Sequence, residues 1–361
     1  MNLEPLIATP KLFHKGILLK AFNLWVNKMK KKILVIAISS LFMSSFAQSA
    51  TIYKKANGDR LDIYGGAEIG GTIVTKRDKS PFGDKSKSYV DDSFGTIGIK
   101  GQTNKFYAKL EIDAERTDWT YENNFRLVID KAYVGYFLTD KQTVEFGRTD
   151  TAYDHYDAFG DFSNQLADEV SEAGDQDNTI KYRGEFGDLK VGISYSAKGW
   201  DFEQDAQSIY DENGVFLKKR GSYVTDSREG EVINGYAGYF TNNLTVIAAA
   251  ETVHNRGELY SLHGKYKINK FAIGGFTSYS DRDGVNKNSM TYVLSGSYDI
   301  TSQLTGYVVG NVYDDDNNDK DDQHVVIGTQ YMYAKNVKLV AEAAMGGNTG
   351  TLGYLKAYYW F

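Results

Sequence analysis

Cysteine is absent from all 361 residues, which excludes disulfides and thiolate metal centres. Proline is nearly absent: Pro5 and Pro10 lie in the first ten residues, and only Pro81 stands downstream, in a polar stretch that reads as a loop. A sheet tolerates proline only at an edge or a bulge, so its scarcity suits a sheet with no free edge. No apolar run reaches the roughly 20 residues of a membrane-spanning helix. A mean hydropathy of -0.44 with 42% hydrophobic residues excludes a bundle of such helices. What the chain has in abundance is Tyr (27) and Gly (36), which fit aromatic girdles and closely packed strands.

The amino-terminus reads as an export signal. Met29-Lys30-Lys31-Lys32 is a positive start, Ile33 to Phe46 is mostly apolar, and Ala47-Gln48-Ser49 places small residues at a cleavage site. The reading is therefore a signal peptide over 29–49, a mature chain from Ala50, and an upstream extension over 1–28 with translation starting at Met29. The alternative is an amphipathic amino-terminal segment. The first 49 residues hold seven Lys and one acid, leaving 34 basic and 46 acidic residues, a net charge of -12, on 50–361. That balance argues against nucleic-acid binding and for attraction of cations.

From Arg60 onward, short segments alternate apolar and polar residues with period two. Leu61, Ile63, Ala67, Ile69 and Ile73 share one face, opposite Asp62, Tyr64, Glu68 and Thr72. Phe106, Ala108, Leu110 and Ile112 alternate with Tyr107, Lys109, Glu111 and Asp113. Charges on that second face would be costly in a dry core but cost little beside water in a lumen. The last strand places Gly353, Leu355, Ala357, Tyr359 and Phe361 on one side and Tyr354, Lys356, Tyr358 and Trp360 on the other, an apolar row that must face lipid and an inner aromatic row.

About sixteen such segments follow one another, joined alternately by tight turns and longer polar loops. The tight turns are placed at 102–104, 139–141, 187–188, 241–243, 268–269, 301–302 and 335–336. The long loops are placed at 76–91, 118–130, 149–178, 198–228, 254–257, 282–287, 314–322 and 346–350. This is the layout of an all-β fold, a transmembrane antiparallel β-barrel wide enough to stay water-filled. No domain boundary shows within 50–361.

The residues resemble the general porins of Gram-negative outer membranes. The resemblance rests on Ala50-Thr51-Ile52-Tyr53-Lys54-Lys55-Ala56-Asn57-Gly58-Asp59-Arg60-Leu61-Asp62-Ile63-Tyr64-Gly65, Gly98-Ile99-Lys100-Gly101, and Lys131-Ala132-Tyr133-Val134-Gly135 leading to Phe146-Gly147-Arg148. Tyr156-Asp157-Ala158-Phe159-Gly160, Asn178-Thr179-Ile180-Lys181-Tyr182-Arg183 and the aromatic carboxy-terminus complete it. It implies a homotrimer of sixteen-stranded barrels in outer-membrane lipid and lipopolysaccharide, passing small hydrophilic solutes and cations by passive diffusion. It also implies that the third long loop folds inward.

That loop, 149–178, carries nine acids and neither Lys nor Arg. The resemblance makes Asp157, Asp161, Asp168, Glu169 and Asp175 constriction acids facing basic residues on the wall, with a transverse field between them. Arg148 matches a family arginine, and Lys100, Lys109, Lys181, Arg183 and Lys190 have lumen-facing parity. Gly66, Thr96 and Asp175 stand where the family carries bases. The family's Pro-Glu-Phe-Gly-Gly-Asp is missing, with Leu166-Ala167-Asp168-Glu169 nearest to it. The expectation is a cation-preferring channel.

No catalytic chemistry, cofactor or metal is expected. His14, His155, His254, His263 and His324 lack metal-ligand spacing and read as ordinary solvated side chains. Asp314 to Asp322 lacks the central Gly and closing Glu of a calcium loop and reads as an acidic external loop, with divalent-cation bridging to lipopolysaccharide as the alternative. An adhesive or structural barrel acting through its outer loops is the other functional class. An outer-membrane hydrolase would need a supported Ser–His pair, and none stands out.

Overall fold

The computed structural model describes residues 50–74, 89–116, 125–167, 170, 172–197, 207–210, 216–220, 231–254, 257–282, 288–315, 322–347 and 351–361. The expected signal peptide and upstream extension lie outside the described residues, as do Asp168 and Glu169.

The period-two pattern becomes β1 (Ala50–Lys54), β2 (Arg60–Val74), β3 (Tyr89–Asp91), β4 (Phe94–Thr103), β5 (Phe106–Arg116), β6 (Phe125–Thr139) and β7 (Gln142–Asp150). It continues through β8 (Asp175–Phe186), β9 (Leu189–Ser196), β10 (Gln207–Tyr210), β11 (Phe216–Arg220), β12 (Val232–Phe240), β13 (Leu244–Val253) and β14 (Gly257–Ile268). The remainder are β15 (Phe271–Arg282), β16 (Ser289–Asp299), β17 (Leu304–Asp315), β18 (Asp322–Ala334), β19 (Val337–Gly346) and β20 (Leu352–Trp360).

Sixteen of these, β2, β4 to β9 and β12 to β20, pair antiparallel with their neighbours in chain order. The ring closes because β2 pairs with β4 along Arg60–Glu68 and with β20 along Gly66–Val74. Closure satisfies every strand's hydrogen-bonding edge internally, which a sheet in lipid requires. The short β1 takes up the part of β2 that β20 leaves free. Ala50 stands opposite Ile63 on the same edge where Trp360 stands opposite Gly66.

Burial follows the alternation but inverts the order of a soluble core. In β5, Phe106, Leu110 and Ile112 are exposed while Tyr107 and Glu111 are buried. In β20, Leu355 is exposed while Tyr354 and Lys356 are buried. Ile69, Leu127 and Leu294 on the outer rows are 67%, 75% and 65% exposed, whereas the buried set includes Glu145, Lys181, Glu251, His263 and Glu342. A wall that is apolar outward and charged inward suits lipid outside and water inside.

The abundance of Tyr and Gly has a local explanation. Tyr64 lies over Gly98, Tyr107 over Gly135, Tyr236 over Gly192 and Tyr307 over Gly328, each ring occupying the space a neighbouring Cβ would take. Aromatic rings over strand glycines cover otherwise bare backbone.

The tight turns fall where the sequence places them, and Asn104, Gly187 and Asn269 supply the positive φ that such turns need (51°, 66° and 53°). The long connections are shorter than expected. Tyr89–Asp91 is already paired with β2, and β6 begins at Phe125. The stretch 198–228 contains the β10–β11 hairpin. Between β7 and β8 the loop is reduced to 151–174 and holds a 3₁₀ turn at Asp154–Tyr156. In each case strand pairing extends beyond the period-two core of the segment into the flanking sequence.

Candidate functional site

The segment after β7 lies along the inner row of the wall and is fastened strand by strand. The backbone N–H of Ala152 reaches Ser194 Oγ of β9 (2.9 Å) and Asn234 Oδ1 of β12 (3.1 Å). Tyr153, fully buried, bonds through its hydroxyl to Ser261 and to His263 Nε2 of β14 (2.9 Å). His263 Nδ1 faces Phe159 O at 2.9 Å and therefore donates, leaving Nε2 as the acceptor. Gly160, at φ +101°, rests on the backbone of Gly264 and Gly275, where a Cβ would overlap both. Phe162 N–H then reaches Ser295 Oγ of β16 (3.3 Å).

The tip of the segment is held by one carboxylate. Glu342 of β19 accepts the N–H groups of Asn164, Gln165 (3.2 Å) and Leu166 (3.2 Å), and also the Tyr307 hydroxyl (2.7 Å). Several donors converging on a charged acceptor make strong, directional bonds. His324 of β18 donates from Nε2 to Leu166 O (2.8 Å) while Nδ1 faces Asp322 (2.9 Å). On the return, Ala173 N–H bonds to Glu251 of β13 (3.2 Å). The bonds thus run from β9 to β19, across one arc of the wall.

At the root of the segment a half-buried network of charges forms around one enclosed lysine. Lys181, with 1% of its side chain exposed, pairs with Glu145 (2.8 Å) and Asp150 (3.3 Å) and donates to Thr149 Oγ1 (2.9 Å). Arg183 reaches Asp150 (3.0 Å), and Arg148 pairs with Asp177 (3.2 Å) while donating to Ile129 O (2.7 Å). Lys131 binds Asp175 and lies 3.4 Å from Asp130 and 3.5 Å from Asp150. Of the expected wall bases, Arg148, Lys181 and Arg183 meet here. Lys100 and Lys109 stand on the other arc, over the Tyr107 and Tyr64 rings at 5.2 Å each, with Lys109 also paired to Glu111 (3.2 Å).

Of the expected loop acids, Asp175 is bound to Lys131 at this root. Asp157 Oδ1 accepts from the N–H of Ala158 (2.6 Å). Asp161 is held by Ser163 through N–H (2.8 Å) and Oγ (2.6 Å), yet burial raises its pKa to about 6. Asp154, Asp157 and Glu172 bring carboxylate oxygens within 4.8 Å of one another. Burial, reinforced by the neighbouring Asp154, pushes Glu172 well above the usual carboxylate range, and burial raises Asp154 as well. Burial therefore works against the charged forms of Asp154, Asp161 and Glu172 in this segment.

Residues with no signal in the sequence complete the site. Lys131 belongs to a recognised motif but shows its role only through its distance to Asp175. Asn234, Glu251, Glu342, His263 and His324 are anchors that sequence spacing cannot reveal, because each meets the loop from far along the chain. His263 and His324 are not solvated as expected but lie buried or half-buried against the loop.

A closed, sixteen-stranded antiparallel barrel, apolar outside and charged within, defines a water-filled channel of the outer-membrane type. Residues 34–351 match the model of the Gram-negative porin family, and the chain belongs to that family. It is therefore an outer-membrane porin of a Gram-negative bacterium that forms a diffusion channel and is not an enzyme. It is similar to a monosaccharide porin from Halomonas, with 26% identity over 79% of this chain and 78% of the relative. Similarity to outer membrane porin F of Salmonella typhimurium is 23% over 73% of each chain. Among solved structures, OmpF of Salmonella typhi in complex with daunomycin superposes with a TM-score of 0.63 at 14% identity, covering 86% of this chain and all of the other. A variant of the Rh. blastica porin gives 0.58 at 18%, covering 83% and 100%.

Proposed function

We propose that the channel passes small hydrophilic solutes and ions by passive diffusion and prefers cations. The observation that carries this reading is that the segment 151–174 has six acids and no base, and that its described part is bonded along the lumen wall. Asp157 and Asp161, together with Asp168 and Glu169, gather cations, while Asp175 is largely compensated by Lys131. Lys100 and Lys109 on the opposite arc supply the positive side of the field, and Arg148, Lys181 and Arg183 hold the root. A relative named monosaccharide porin supports small sugars among the permeants.

The zero-current potential across a planar bilayer in a KCl gradient tests this. A cation-selective sign is expected at pH 7.5; an anion-selective sign would overturn the reading. Asp161 adds a pH dependence. Its folded pKa, about 6, lies above the ordinary 3.8, so the folded channel favours its neutral form. Its contribution to stability is present below the ordinary value and lost as pH rises through about 6. Its negative charge is correspondingly lost as pH falls through 6, so cation preference should weaken between pH 7 and 5, and Asp161→Asn should flatten that change.

The functional unit in this reading is a homotrimer in contact with outer-membrane lipid and lipopolysaccharide, as the family resemblance implies, with conductance rising in steps of three. Maturation removes 29–49. Support comes from β1, whose first residue pairs on the edge of β2 that also carries Trp360, so that a chain starting at Ala50 brings its new end beside β20. Edman sequencing of the membrane-extracted protein should begin at Ala50; an intact segment upstream would refute cleavage there.

A further inference from the structure

A second polar recess lies on the far side of the docked segment from the root network. Residues 161–164 roof it, and β14 to β18 wall it near their short-turn ends, enclosing a volume of about 330 Å³. At about 30 Å³ per water, that is room for roughly ten waters or a solute of similar size.

The chemistry of the recess is decided by which groups are already engaged. Its two acids are both satisfied. Asp161 accepts from Ser163, and Asp299 is held by Lys267 (3.1 Å) and Thr305 (2.9 Å). Its remaining lysines are not. Among the described residues neither Lys265 nor Lys270 makes a close ion pair: Lys265 stacks over the Phe162 ring (5.2 Å), and Lys270 lies within electrostatic reach of Asp299. Ser297 and Gln330 complete the lining without a side-chain partner among the described residues. Three lysines against two carboxylates leave the lining with one positive charge in excess, and with the Ser297 and Gln330 donors the set is complementary to an oxyanion.

We propose that this recess is a binding subsite for small solutes bearing a carboxylate or phosphate. Lys265 and Lys270 would pair with the oxyanion, while Ser297 and Gln330 orient the rest of the solute. Asp161 borders both the recess and the cation-attracting segment, and the subsite gives an otherwise cation-attracting lumen a resting place for anions beyond the loop. The proposal rests on the channel alone and holds whichever ion the constriction prefers.

The test uses single channels of the full-length porin in KCl, with inorganic phosphate or gluconate added to one compartment at a time. Phosphate reports a bare oxyanion and gluconate a polyhydroxylated one. Brief, saturable current interruptions are expected with at least one of them, and at least a tenfold higher concentration for the same occupancy in the Lys265→Gln/Lys270→Gln double variant. Absence of interruptions with both probes, or an unchanged concentration dependence in the variant, overturns the proposal. If the double variant fails to insert, Gln330→Ala and Ser297→Ala are expected to shift the dependence about threefold each, and no shift in either counts equally against it. The KCl zero-current potential, measured alongside, keeps a failure of the cation reading distinct from a failure of this one.

Discussion

Glu342→Ala should turn a quiet channel into a flickering one. The substitution removes the acceptor for three backbone N–H groups at the loop tip and for the Tyr307 hydroxyl. Each donor left without a partner costs about 1–3 kcal/mol when buried. The lumen is wet, so water recovers part of this, and a net loss of about 3 kcal/mol is expected, roughly a hundredfold shift toward undocked loop. Glu342 acts by positioning the tip rather than by touching solute. The readout is accordingly the number and lifetime of conductance levels rather than the mean current. Glu342→Gln keeps the shape and one oxygen acceptor and should fall between the two. A single stable level in Glu342→Ala would show that the remaining anchors, Asn234, Glu251, His263, Ser295 and His324, hold the segment by themselves.

Lys181→Met should lower the temperature at which the barrel unfolds in detergent. Lys181 is almost fully enclosed and compensates Glu145 and Asp150 at once. Breaking a buried pair by removing one partner costs about 3–5 kcal/mol, because the other charge stays buried. Asp150 retains Arg183 and Lys131, and Glu145 retains the Tyr107 hydroxyl (2.8 Å), which places the expected loss at about 3 kcal/mol. The check is the midpoint of the gel-mobility shift on heating. Glu145→Gln in the same chain should restore much of the loss, since it removes the uncompensated charge. An unchanged midpoint in Lys181→Met would mean that the network contributes little to the fold.

The barrel was legible because its physics is local. Lipid on one side and water on the other force alternation within each strand, and Phe106 to Asp113 or Gly353 to Phe361 shows both partners of that alternation without reference to any distant residue. Proline scarcity and the turn asparagines add to the same signal. Loop boundaries were less legible: Phe125 to Asp130 and Tyr89 to Asp91 are short alternating stretches beside polar sequence, too short to show as strands before their partners are in place.

The site divided along the same line. Composition alone shows an acidic segment between Arg148 and Lys181, and parity alone turns Lys100, Lys109, Lys181 and Arg183 toward the lumen. Which base meets which acid depends on distances between strands far apart in the chain, as with Asp175 and Lys131 or Leu166 and Glu342. No periodicity encodes those meetings. The sequence by itself determined a closed barrel with an apolar outside, since each strand carries its own record of lipid and water. Only the tertiary structure decided where the acidic segment lies, which of its carboxylates meet a base, and that a lysine-rich recess sits beneath it. These outcomes follow from burial and pairing across the ring, which exist only once it has closed.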